Sequence, residues 1–355
     1  MKGSNARNDE KTERRNQAGA GAHTSDNLAL MLRGVCKSYP KFELKDVTFS
    51  LPRGFIMGFI GPNGAGKTTT IKIIMNMARK SRGTVKALGL DHRLYEKEVK
   101  RRIGYVGEEP RFYEEMTPLW FGGFVSKYYP TWDKAYFDAT LDRFGIDPAK
   151  RVKDLSKGMK VKLGLALALS HKPELLILDE PTSGLDPVIR RDVLDELMSV
   201  IQDEKRSVFF STHITQDIER IADYVTFIHE GRIVESDVKD DILGRWKSIS
   251  FPLPVRAGEG QGSLRTGAMQ GTLGTRDLEA DVAKATAYVE RMLDQELKGV
   301  FLGHKIEGLT FSGITSTFSS ALEDKVAQLV GSRPRVAPVS LDDILVAIVR
   351  GNNAC

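Results

Sequence analysis

The run Gly61-Pro62-Asn63-Gly64-Ala65-Gly66-Lys67-Thr68 meets every fixed position of the spacing G-x-x-x-x-G-K-[ST]. Those residue types in that order suit one task, holding a polyphosphate. Gly61, Asn63, Gly64 and Gly66 let backbone N–H groups turn inward and approach the anion closely, and a helix opening at Lys67 adds partial positive charge. Lys67 can pair with β- and γ-phosphate oxygens, the Thr68 hydroxyl can ligate Mg²⁺, and Thr69 can add a hydrogen bond to the phosphates. The apolar run Phe55 to Ile60 precedes the loop, so the strand–loop–helix context that the pattern requires is present.

A second set of residues supplies acid–base chemistry. Leu175 to Leu178 is an apolar strand that ends in two adjacent carboxylates, Asp179 and Glu180. In a parallel sheet, ligands gather at the carboxyl ends of the strands. Asp179 is therefore placed to hold Mg²⁺ through water. Glu180, on the other side of the strand, can polarise an attacking water as a general base. His213 closes Ser211-Thr212-His213 at the end of another apolar run, where it can reach a γ-phosphate and the water beside it.

The elements that must position these groups follow from the apolar pattern. Ala29 to Leu32, Val47 to Leu51 and Phe55 to Ile60 read as strands, and a helix follows from Lys67. Pro118 to Tyr129 is aromatic and helix-like, with Thr117 as N-cap and Pro118 in the first turn. Further helices are expected over Lys134 to Phe144, from Ser156 to Ser170 and from Val188 to Asp203, with strands at Leu175 to Leu178 and Ser207 to Ser211. Strands alternating with helices predict an α/β domain with a largely parallel sheet. Residues 1 to 27 are polar and lack large apolar groups, which predicts a disordered tail. Past Arg245 the composition shifts, and Ala257 to Thr275 reads as a linker or long loop. Helices over Asp277 to Lys298 and Ser320 to Leu329 then suggest a small α/β appendage over 246–355.

Bulk properties narrow the class. At 355 residues two domains are the default, and 41% hydrophobic with 28% charged residues is an ordinary globular balance. The net charge of +5 is spread along the chain, so it argues little for nucleic acid; it fits solubility, or a place beside an anionic leaflet. Cys36 and Cys355 have no metal-ligand spacing, which points to a reducing compartment. Leu163 to Leu169 and Leu175 to Leu178, the longest apolar runs, fall far short of the ~20 residues of a bilayer span. Arg14-Arg15 is not followed by an apolar stretch, so no export signal is expected.

The order of these motifs resembles one family. Phosphate loop, Leu155-Ser156-Lys157-Gly158-Met159, Leu178-Asp179-Glu180-Pro181-Thr182, Ser183-Gly184-Leu185-Asp186 and His213 are similar to the ATP-binding cassette (ABC) transporter ATPases over about residues 28 to 235. The resemblance implies a P-loop NTPase fold over 28–245. Its parts would be a RecA-like core, an antiparallel β subdomain and a helical subdomain at about 109–170. It implies two copies, identical or sister, that sandwich two ATP molecules. Each ATP would lie between one phosphate loop and the Ser156 and Gly158 of the other copy. It implies an adenine-stacking role for Tyr39, with a core tyrosine as the alternative, and a place near the metal for Glu108. Two positions depart from the family: Lys157 stands where a glycine is usual, and Glu108 where a glutamine is usual.

The resemblance is closest to export-type ATPase subunits that serve a separate multi-span permease. It implies a cytoplasmic protein, peripheral on the inner face of the membrane, with ATP and Mg²⁺ as ligands. The aromatic segment Phe112 to Tyr129 lies where family members dock a coupling helix. The ending Pro338 to Leu345 resembles the C-terminal segment of efflux ATPases, or is an ordinary amphipathic closing helix. A soluble relative acting on ribosomes or nucleic acid is the rival. It is disfavoured because one cassette is visible, without heptads or Cys clusters. A regulatory module that holds ATP without turnover is disfavoured by Glu180 and His213. The resemblance leaves the transported substrate open.

Overall fold

The computed structural model describes residues 27–254 and 275–351. The expectations for the N-terminal tail and for the stretch beginning at Ala257 fall on residues outside these. Contacts divide the chain into two compact units, with the break between Asp237 and Val238.

The first unit opens with β1 (Leu28–Tyr39), β2 (Phe42–Pro52) and β3 (Ile56–Ile60), followed by α1 (Lys67–Ile74). Next come β4 (Arg82–Ala87), β5 (Leu90–Asp91), α2 (Glu96–Arg102) and β6 (Ile103–Val106). Three helices follow, α3 (Pro118–Val125), α4 (Lys134–Arg143) and α5 (Lys157–Leu169). The unit closes with β7 (Leu175–Asp179), α6 (Pro187–Val200), β8 (Ser207–Thr212), α7 (Thr215–Ile221), β9 (Tyr224–His229) and β10 (Arg232–Val238). Two sheets result: a four-stranded one in the order β2-β1-β4-β5, and a six-stranded one in the order β10-β9-β3-β8-β7-β6. β1 pairs antiparallel with β2 and β4, whereas β9, β3, β8, β7 and β6 run parallel. The fold is that of a P-loop NTPase, α/β in class, as the motifs imply.

Every residue of β3, β7, β8 and β9 is buried, which is why these strands read as unbroken apolar runs: both faces of a parallel sheet are covered. The two sheets meet through aromatics, with Phe49 of β2 stacked on Phe209 of β8 at 5.6 Å between ring centres. The helices between β6 and β7 begin on side-chain caps. Thr117 Oγ1 accepts from Trp120 N, Asp133 Oδ1 from Tyr136 N and Ser156 Oγ from Met159 N. These bonds satisfy N–H groups that a helix start leaves unpaired. α3 is shorter than the aromatic stretch suggests. It ends at Val125, and Ser126–Tyr128 continues as a 3₁₀ turn.

The second unit contains α8 (Lys239–Arg245), β11 (Lys247–Pro252), α9 (Thr275–Gln295), β12 (Gly303–Glu307), β13 (Thr310–Thr315), α10 (Ser320–Val330), β14 (Arg335–Pro338) and α11 (Leu341–Gly351). Its boundary lies ahead of α8, not at Arg245, because the end of α8 is tied into this unit: Phe318 N donates to Arg245 O at 3.4 Å. Its sheet is antiparallel, in the order β12-β13-β11-β14. Ile249, Phe251, Val289, Phe311, Val326 and Val330 form its core.

Candidate functional site

The phosphate loop runs from the end of β3 into α1, and two glycines in it have backbone torsions that favour glycine. Gly66 has φ +114°, and a Cβ there would stand 2.6 Å from Leu44 Cδ2 and 2.8 Å from Phe42 Cζ. Gly64 has φ +81° with nothing within 4 Å of a Cβ position, so the loop opens there into space that an anion can fill. The turn after β9 clasps the loop from outside. Gly231 N donates to Ala65 O at 3.0 Å, and Lys45 N donates to Gly231 O at 2.7 Å.

Inside the loop, the Lys67 ammonium donates to Gly61 O at 2.7 Å and Pro62 O at 3.2 Å. It also stands 3.0 Å from Glu180 Oε1, and both side chains are only 6% exposed. That pairing is a meeting of charges without hydrogen-bond alignment, since Oε1 has no hydrogen bond. The other carboxylate oxygen, Oε2, accepts from His213 Nδ1 at 2.8 Å. Lys67, Glu180 and His213, from three elements, are thus joined in one line. The backbone at Glu180 is in the left-handed region, with φ +50°, a conformation a non-glycine residue adopts at a cost. It is held there by Ser211, whose carbonyl oxygen and Oγ both accept from Glu180 N at 3.1 Å.

Asp179 is buried, and its Oδ1 accepts from Ser211 Oγ at 2.6 Å. Close by, the Tyr105 phenol is pushed up in pKa by burial and by the Asp179 charge. Thr68 and Thr69, in the first turn of α1, are half-buried. A hydroxyl at Thr68 and a buried carboxylate at Asp179 are hard oxygen donors of the kind Mg²⁺ takes, with phosphate oxygens and water completing its shell. Glu108 lies exposed in the loop after β6.

Tyr39, at the tip of the β1–β2 hairpin, is 44% exposed, and Lys37 Nζ lies 4.9 Å from its ring centre. It is therefore not a core tyrosine. Its cross-strand partner Phe42 is the residue that approaches Gly66, which brings the hairpin to the phosphate loop. Ser156 is exposed at the start of α5, and Gly158 packs on Ile189. Among the described residues, neither is hydrogen-bonded to the phosphate loop of its own chain. Lys157 Nζ lies over Gly184, 2.9 Å from where a Cβ would stand, so its charge is directed within the chain at the segment after Glu180.

Two contributors escaped the sequence reading. Ser211 was visible only as part of the Ser-Thr-His run, yet it bonds the Asp179 carboxylate and the Glu180 backbone N–H. Asp217, buried in α7, accepts from Thr182 Oγ1 and from Arg190 Nε, each at 2.6 Å. It locks the segment after Glu180 to α6, and nothing in its local sequence marks it.

Comparison with known proteins agrees with this geometry. The family model described as ABC transporter matches residues 44–183. The bacitracin transport ATP-binding protein of Bacillus licheniformis is 38% identical over 210 residues, covering 58% of this chain and 69% of that protein. The lantibiotic transport ATP-binding protein of Streptococcus pyogenes is 34% identical over 208 residues, covering 58% of this chain and 89% of that protein. A solved structure described as the ATP binding subunit of an ABC transporter has a TM-score of 0.55 and 30% identity, covering 60% of this chain and 91% of that one. Likeness of this extent, on a phosphate loop backed by a buried lysine and carboxylate and an exposed histidine, makes the chain a member of the ABC transporter family, an ATP-binding subunit whose activity is ATP hydrolysis coupled to transport.

Proposed function

We propose that this chain is the ATPase of an export system whose membrane-spanning subunit is a separate polypeptide. It acts as a dimer, with itself or with a sister ATPase, that closes when ATP binds and opens after hydrolysis. The observation that carries this reading is the line Lys67–Glu180–His213 at the mouth of the phosphate loop. Backbone N–H groups of residues 61–66 and the Lys67 ammonium grip the β- and γ-phosphates. Tyr39, exposed at the hairpin tip, stacks on adenine. The Glu180 carboxylate takes the proton of the attacking water as its oxygen bonds to the γ-phosphorus and the bridging bond breaks, releasing ADP with phosphate as the product. His213, hydrogen-bonded to that carboxylate, orients water and phosphate. Thr68 and Asp179, with Glu108 from the loop after β6, would hold Mg²⁺, which supplies charge neutralisation at the phosphates. Ser156 and Gly158 of the second subunit seal the γ-phosphate from the far side.

A cavity of about 630 Å³ supports docking of the membrane subunit. Its lining includes Tyr105, Phe112, Tyr129, His171, Met75 and Lys100. It joins the Glu108 loop to the helical region, so a segment seated there could sense the nucleotide. Among the described residues no helix is long and apolar enough to cross a membrane, in keeping with a separate subunit. The Glu180→Gln variant tests the central assignment. ATP turnover should fall by 10²-fold or more while ATP binding persists, a loss typical of removing a general base. An unchanged rate of phosphate release removes Glu180 from the mechanism.

A further inference from the structure

Two short segments beside the N-terminal end of α2 have no part in the proposed ATPase site. One is the end of α1 and its exit, Met77 to Lys80; the other is the turn from Asp91 to Tyr95 that leads into α2. They lie together. Asn76 Nδ2 donates to Glu96 Oε2 at 2.8 Å, and the Lys80 ammonium bears electrostatically on both Asp91 and His92. Asp91 Oδ1 accepts from Arg93 N at 2.9 Å and Leu94 N at 3.1 Å, which fixes the turn and drives its tip outward.

What the tip presents is unusual for a water-facing turn. Leu94 is 81% exposed, with Tyr95 and Met77 also more than half exposed beside it. Arg79, Arg93 and Lys97 are exposed and Lys80 half-buried, and among the described residues no ion pair takes up any of these four cations. The nearby acids are committed elsewhere: Asp91 caps the turn, Glu96 pairs with Lys100 at 2.6 Å, and Glu98 pairs with Arg102 at 3.7 Å. The surface is therefore an outward-facing apolar point ringed by positive charge, of which only Lys80 faces an acid, Asp91.

We propose that this tip rests on a membrane surface, with Leu94 and Tyr95 entering the headgroup layer and Arg79, Lys80, Arg93 and Lys97 meeting anionic lipid phosphates. Short apolar side chains inserted at the interface and cations attracted to anionic lipids are the two terms that hold peripheral proteins on a bilayer. A protein segment is the less suited occupant, because Leu94, 81% exposed, projects outward instead of lining a recess. The concave surface is the cavity, whose Lys100 lies one turn along α2 from Glu96. A membrane subunit seated in that cavity would bring lipid to the neighbouring tip. The lipid contact itself needs no such subunit, so its failure leaves the transport reading standing.

The test is co-sedimentation of the intact chain with phosphatidylcholine vesicles, with and without phosphatidylglycerol, at low and raised salt. Binding is expected with the anionic vesicles only, weakening with salt. Arg79→Glu with Lys80→Glu should lower the partition coefficient by about tenfold or more, and Leu94→Ser by about fivefold. Lys205→Glu with Lys298→Glu makes the same change in net charge on exposed residues elsewhere and should lower it by about twofold or less. Equal loss in that control overturns the proposal in favour of unspecific attraction, and so does an absence of binding by the native chain. Tip variants that keep vesicle binding but lose capture of a membrane protein from detergent extract overturn it in favour of a protein contact.

Discussion

His171 sits where a single proton matters. Its ring is buried, stacked on Tyr129 at 3.9 Å between ring centres, and its Nδ1 has no partner. Burial lowers its pKa from 6.5 to about 4, against the opposing pull of nearby carbonyls, that of Arg101 among them. A histidine whose folded pKa is depressed keeps its proton longer in the unfolded chain. Stability contributed by the neutral ring is therefore present above pH 6.5 and drains away as pH falls towards 4. The loss over that window amounts to about 3 kcal/mol. Urea unfolding followed from pH 7.5 to 4.5 should show this slope, and His171→Phe, which keeps the stack, should flatten it. Equal slopes in both proteins would mean that the ring is not what titrates. At this scale the sequence was informative about identity but not about state. Lys67, Glu180 and His213 stand out by motif, whereas the left-handed backbone of Glu180 and the burial of His171 depend on residues far away in the chain.

Elements gain their rigidity from contacts that skip along the sequence. α6 starts on Asp186, whose Oδ1 accepts from Val188 N and Ile189 N, with Pro187 in the first turn. That much is visible in Asp-Pro followed by helix formers. The anchor that fixes α6 against α7 is not visible: Asp217, 1% exposed, holds Arg190 and Thr182 at once. Asp217→Ala would strand a cation and a hydroxyl, and should destabilise the first unit by about 3 kcal/mol in urea unfolding. Asp217→Asn keeps an acceptor and should cost less; if the two variants match the native protein, the network has no structural weight. Long buried strands and capped helices were legible because burial on both faces, or a Ser, Thr or Asp at a helix start, writes itself into the local sequence. β4 and β5 were not, since they are short, half-exposed and owe their place to pairing with β1. In the second unit, α9 and α10 follow from helical periodicity, while the antiparallel pairing of β11 with both β13 and β14 comes from partners more than 50 residues away.

For the whole molecule, the informative feature is what one chain leaves unfinished. Ser156 caps α5 through Met159 N, faces solvent and, among the described residues, makes no hydrogen bond to its own phosphate loop. The first turn of α5 carries no acidic residue to answer the partial positive charge of the helix start. In the proposed dimer, a γ-phosphate held by Lys67 of another copy would supply the missing negative charge, and the two half-sites would complete each other when two molecules meet face to face. On this argument ATP is part of the interface, and dimerisation must depend on it. In the Glu180→Gln background, where bound ATP persists, size exclusion with ATP and Mg²⁺ should show a dimer that reverts to monomer when nucleotide is removed. Adding Ser156→Arg places a long side chain in the interface and should hold the protein monomeric at the same ATP concentration, with nucleotide binding by the single chain reduced by no more than a few-fold. A dimer that survives Ser156→Arg, or one that forms equally well without ATP, would have to be built on a different surface, and the second subunit would then play no part in gripping the phosphate.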